Sequence, residues 1–122
     1  MSRHFVNMVN YIIRNAENVD RIVDHGGTCY IWQLLNDETD VVDNMKALGI
    51  VEVEGVLESH IDDYEEYYFI LDGTGRVDVE GEQEDVFPGD LIYIPRGKMH
   101  GIESLGKNYP IRFLAFMLYA SD

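Results

Sequence analysis

At 122 residues, with 46% hydrophobic residues and eleven glycines, the chain has the size of one compact domain and is too apolar to remain disordered. Its 23 acidic residues against 9 basic ones give a net charge of −14, which repels nucleic acid and anionic membrane surfaces, so neither is expected as a partner. No uncharged apolar run approaches the length of a membrane span.

The N-terminal stretch Met1–Asn7 lacks the apolar core and small-residue cleavage site of a signal peptide. The single cysteine, Cys29, cannot close an internal disulfide, which suits a reducing compartment. Both features predict a cytoplasmic protein. Residues 1–27 read as an N-terminal segment, in which Tyr11–Val23 has poor periodicity and room for a short helical turn. His25-Gly26-Gly27 is a turn, and nothing in the sequence ties His4 or His25 to a site.

From there the chain reads as all-β, with short apolar runs between turn signals. Strands are expected at Thr28–Leu35, Lys46–Val53, Tyr67–Leu71, Arg76–Glu80, Leu91–Ile94 and Ile111–Tyr119, with weaker ones between. Cys29 falls in the first of them as a buried, inert thiol. Asn36–Asn44, rich in Asp and Asn, reads as a solvated loop able to lie over the mouth of a barrel. Arg76–Glu80 alternates apolar and charged residues, as a strand with one wet face does. Tyr67–Leu71 and Arg112–Leu118 are apolar on both faces, so each needs a cover on both. In so short a chain the second cover is expected to be another subunit, giving a homodimer. No internal repeat or linker interrupts the sequence, which predicts a single domain over 1–122 with its β-strands in 28–119.

Two stretches concentrate metal-ligating residues. Gly55–Gly73 carries His60, Asp62 and Glu66, and Gly89–Ser104 carries His100 behind Pro95-Arg96-Gly97. Two histidines with one or two carboxylates suit a borderline divalent metal. His60 and Asp62 share a face if both lie on one strand, a turn at Asp63–Glu65 can bring Glu66 to the same centre, and His100 must arrive from another strand. Glu65 is a chemically identical competitor of Glu66. Gly73, Gly89 and Gly97 suit turns needing positive φ, and Pro95 a rigid entry to the His100 strand. Tyr64, Tyr68 and Tyr93 are candidates for the cavity wall, with core packing the alternative, favoured for Tyr93; Tyr68 shares strand parity with Glu66. Arg76, Arg96 and Arg112 offer a substrate clamp, although pairing with surface acids explains them better.

These stretches resemble the two sequence motifs of the cupins. The first appears as Gly55, His60-Ile61-Asp62, Glu66 and Gly73; the second as Gly89, Pro95-Arg96-Gly97, His100 and Ser104. The resemblance implies a double-stranded β-helix, the jelly-roll barrel, holding one divalent metal per chain (iron, manganese, zinc or nickel) on His60, Glu66 and His100. Asp62 stands where the family has a second histidine, and Ser104 replaces a closing asparagine. Asp62 is then either a fourth ligand, which hardens the site, or a general base beside a two-histidine, one-carboxylate triad. The function so implied is a metal-dependent enzyme acting on a small polar organic substrate. Dioxygenase-type chemistry comes first; a lyase, isomerase or epimerase in which Asp62 or Tyr68 moves a proton comes second. The remaining alternative is a non-catalytic ligand-binding barrel.

Overall fold

The computed structural model describes residues 11–119, so His4 and the start of the N-terminal segment lie outside the described residues. A 3-10 turn at Ala16–Asn18, capped by the Asn15 side chain, is the helical turn allowed for in that segment. Ten strands follow: β1 Arg21–Asp24, β2 Cys29–Asn36, β3 Met45–Val53, β4 Val56–His60, β5 Glu65–Asp72, β6 Gly75–Val79, β7 Glu82–Val86, β8 Leu91–Ile94, β9 His100–Ser104 and β10 Ile111–Leu118. The six expected strands are all present, with no end moved by more than two residues. β1, β4, β7 and β9 fill the intervals, and β1 occupies the end of a stretch that reads only as irregular.

All pairings are antiparallel. One sheet runs β1-β2-β3-β10-β5-β8, and the other runs β4-β9-β6-β7. Together they make the jelly-roll barrel. Side chains alternate across each strand, and the buried ones pack between the sheets. Val53, Ile70, Phe113 and Ile111 come from the larger sheet, Leu57, Val77 and Ile102 from the smaller.

The inward rows also taper. At one end Val53 lies opposite Ile111 and Phe113 opposite Ile70. Toward the other end Ala115 faces Gly49 on one neighbour and Tyr68 on the other, and Met117 faces Glu66. Bulky residues close the first end, while the small Ala115, which lines the cavity, leaves space at the second. That space is the cavity.

Asn36–Asn44 differs from the solvated loop expected. Asn36 belongs to β2, and Asp40 is buried against Arg14, with Nη1 to Oδ2 at 2.8 Å. None of these residues is among those lining the cavity. The positive φ expected of glycine is found at Gly73, Gly89 and Gly97. The Arg76–Glu80 alternation becomes β6, whose Val77 is buried. Cys29 is buried as expected, and burial, with the Asp24 charge, pushes its thiol up to about 11.

Candidate metal centre

Strand pairing brings the two histidines together. β4 runs antiparallel to β9, and Leu57 opposes Ile102. Two residues, Glu58 and Ser59, then oppose the single Gly101 before His60 meets His100. This β-bulge resets the alternation of β4, so that His60 turns inward although Leu57, three positions back, also faces the core. The bulge needs a glycine opposite it: a Cβ on Gly101 would lie 2.7 Å from the Leu57 carbonyl oxygen.

β4 ends at His60, so Asp62 sits in the loop beyond rather than on the same strand face as expected. It is positioned by its backbone, whose carbonyl accepts a hydrogen bond from Gly97 N–H at 3.0 Å. That bond ties the first motif to the turn of the second. β5 then begins, and its parity sends Glu66, Tyr68 and Ile70 inward while Glu65 points out and accepts from the Tyr93 hydroxyl. Of the two glutamates, Glu66 is the one that faces His60, Asp62 and His100.

Each of His60, Asp62, Glu66 and His100 offers one donor atom within 4.8 Å of the others. His100 Nε2 lies 3.1 Å from Glu66 Oε1 and 3.6 Å from Asp62 Oδ2, and His60 Nε2 lies 3.2 Å from Asp62 Oδ2. The other ring nitrogens are engaged: His60 Nδ1 is 2.8 Å from the Glu58 carbonyl oxygen, and His100 Nδ1 is 2.9 Å from that of Lys98. A carbonyl can only accept, so both Nδ1 atoms carry the proton. In the neutral rings, both Nε2 lone pairs then aim at carboxylate oxygens. Lone pairs facing one another at these distances repel unless a cation lies between them. Glu66 Oε1 and His100 Nε2 are buried without a hydrogen-bond partner, as that picture requires.

Two of the three spacings, 3.1 and 3.2 Å, are those of neighbouring metal ligands, and the third, 3.6 Å, is slightly longer. Bonds of about 2.1 Å meeting at about 90–110° put neighbouring donors about 3.0–3.4 Å apart. Without a metal, protons must fill the gap. The hydrogen bond with Asp62 raises His60 to about 9, against the pull of burial. Burial lowers His100, but the Glu66 carboxylate and the Lys98 carbonyl outweigh it and leave it raised. Burial works to raise Asp62, yet its hydrogen bonds with His60 and Glu66 leave it below the usual carboxylate range. Glu66 itself is raised, by burial first.

Tyr68 donates its hydroxyl to Glu66 Oε2 at 3.0 Å, and complete burial holds it protonated. Tyr64 also lines the cavity, raised by burial and the nearby carboxylates to about 12. Tyr93 belongs neither to the cavity nor to the core: it is 47% exposed on the outer face of the larger sheet. Arg76 and Arg112 also stand outside the cavity, paired with Asp85 and Glu52. Two polar residues, Asp24 and His25, were missed. His25 lines the cavity, with its ring 5.4 Å from that of His60. Only the pairing of β1 with β2 carries it there, and no local motif marks it.

With this geometry in view, the comparisons with known proteins bear on one family. A family model described as Cupin_2, a cupin domain, matches residues 47–117, more than half of the chain. The chain belongs to this cupin family. An uncharacterized protein of Methanocaldococcus jannaschii is 44% identical over 50 residues; that stretch is 41% of this chain and 39% of the relative, so well under half of its length is matched. Among solved structures, a predicted oxalate decarboxylase from Thermotoga maritima superposes with a TM-score of 0.76 at 21% identity, covering 89% of this chain and all (100%) of that one. The polyketide cyclase RemF from Streptomyces resistomycificus gives 0.74 at 22% identity, over 90% of this cupin and 80% of RemF. KdgF from a Halomonas species gives 0.67 at 19%, over 88% and 94%. These likenesses show a shared fold, and the different names they carry show how widely its chemistry varies.

Proposed function

We propose that this cupin is a metal-dependent enzyme that holds one divalent transition metal on His60, Glu66 and His100, with Asp62 as the fourth group. The observation that carries the reading is the convergence of His60 Nε2 and His100 Nε2 on Asp62 Oδ2 and Glu66 Oε1, at 3.1–3.6 Å, with each ring held through Nδ1 by the Glu58 and Lys98 carbonyls. The side chains of Glu66 and His100 are 2% exposed, whereas those of His60 and Asp62 are 26% and 22% exposed. The centre is therefore closed behind and open toward the cavity, an arrangement suited to a catalytic rather than a purely structural metal.

When bound, iron would supply the redox chemistry that oxygenation needs, and manganese, nickel or zinc the Lewis acidity for proton transfer and elimination. The chain's own residues do the remainder. Apolar walls exclude water, and Tyr68 holds Glu66 through Oε2 so that Oε1 stays aimed at the centre. Its hydroxyl is committed to that bond, so we assign Tyr68 to positioning and leave Asp62 as the proton acceptor. Dioxygenase-type chemistry stands first. Lyase or isomerase chemistry is the second reading, favoured by the accessible Asp62 carboxylate. Metal content of protein purified without chelator tests the site: about one ion per chain, lost in His100→Ala, is expected. Iron-dependent oxygen uptake then supports oxygenation, and anaerobic turnover the alternative. Full metal content in both His60→Ala and His100→Ala would overturn the assignment.

We further propose that the cupin works as a homodimer joined through the outer face of its larger sheet. Cross-strand register lines up Trp32, Ile50, Leu114, Phe69 and Leu91 across five strands, with Leu48, Phe116, Tyr67 and Tyr93 as the adjacent row. Phe69 and Leu91 are 42% and 62% exposed. The charges beside these rows are partnered: Arg112 with Glu52, Lys46 with Asp37 and Glu38, Arg21 over the Tyr30 ring, and Glu65 accepting from the Tyr93 hydroxyl. Two copies of a strongly acidic chain can meet at such a face without opposing carboxylates.

A further inference from the structure

The cavity in front of the four-residue cluster has a volume of about 350 Å³, enough for one small molecule. Its body is apolar, with Ile31, Val51, Leu57, Phe113 and Met117 along the walls. Its carboxylates are Asp24, Asp62 and Glu66, and no lysine or arginine is among the described residues that line it. Further polar contacts come from Tyr64 and His25.

This distribution limits what can bind. Two carboxylates cancel the charge of a divalent ion, so the occupied centre carries no surplus positive charge to hold an anion. A carboxylate or phosphate elsewhere on the ligand would lie against apolar wall or Asp24 without a counter-charge, and a buried unpaired charge is strongly disfavoured. The field of a chain of net charge −14 acts in the same direction. Resting on the metal reading above, we infer that this cavity takes a small uncharged molecule, apolar along its body, that meets the metal through one or two neutral oxygen donors, and that it discriminates against carboxylates and phosphates. The substrate is polar only where it meets the metal. Oxalate, the acid in the description of the Thermotoga neighbour, is a ligand this cavity disfavours.

The test compares phthalamide with phthalate, which share a six-membered ring and two adjacent carbonyl oxygen donors but differ in charge at neutral pH. Binding of each to zinc-loaded protein is followed by calorimetry, with zinc content measured on the same sample before and after. Phthalamide is expected to bind at least about tenfold more tightly than phthalate, with zinc retained. Met117→Arg, which places a cation on the partly exposed rim, should narrow that ratio by about tenfold. Phthalate binding as tightly as phthalamide, or no phthalamide binding at millimolar concentration, overturns the inference. Failure to hold zinc instead overturns the metal reading on which the inference rests.

Discussion

At the scale of single residues, the site depends on keeping two lone pairs and two carboxylates pointed at one spot. Tyr68 does part of this through its bond to Glu66 Oε2. Removing that hydroxyl should leave the fold intact and free Glu66 to rotate. Tyr68→Phe is therefore expected to weaken metal binding by about tenfold or more, measured by competition with a chromogenic chelator. Asp62→Ala separates two roles: lost metal means a ligand, whereas retained metal with lost turnover means a base. Protonation gives a further test. In metal-free protein His60 is raised from 6.5 to about 9, first by its hydrogen bond to Asp62, so its contribution to stability is full below about 6.5 and disappears as pH rises through about 9. The melting temperature with a chelator present should therefore fall over that interval. With metal bound the trend should reverse, because binding displaces the protons and strengthens as pH rises. A chelator-independent melting profile would contradict the assignment.

Among the elements, the β4–β9 pair decides whether the histidines meet. Strand alternation alone predicts that Leu57 and His60 face opposite ways, and only the bulge at Glu58–Ser59 brings both inward. Gly101 permits it, because its missing Cβ leaves room for the Leu57 carbonyl and the Ser59 backbone. Gly101→Ala should push β4 away, destabilise the fold by about 1–3 kcal/mol as overpacking does, and loosen His60 from His100. Metal affinity should fall more than stability alone explains, which titration at low temperature, where the variant stays folded, would reveal. Unchanged affinity would show that β4 gives way without moving His60. Sequence patterns located strands better than they located this irregularity. Apolar runs and glycine turns are local, whereas a bulge exists only relative to its partner strand.

For the whole molecule, the outer face of the larger sheet is the feature with the clearest consequence. Phe116 and Leu114 lie side by side on β10 at its centre, next to Tyr67, Phe69, Leu48 and Ile50. Phe116→Glu should convert a dimer to a monomer in sedimentation velocity while sparing metal content, since Phe116 lines no part of the cavity. A wild-type monomer at micromolar concentration would sink the proposed assembly.

The sequence by itself determined the fold class and the four candidate ligands. Turn glycines, the Pro95-Arg96-Gly97 entry and the spacing of His60, Asp62, Glu66 and His100 are short-range features, and the inward parity of Glu66 with Tyr68 follows from one strand read alone. Only the tertiary structure decided how those groups stand toward one another. The Glu58 and Lys98 carbonyls fix which nitrogen each ring presents, the Gly97–Asp62 bond holds a loop carboxylate in place, and β1 brings His25 to the cavity wall. These outcomes depend on which strand lies beside which and in what register, and pairing between distant segments leaves no mark in either segment alone.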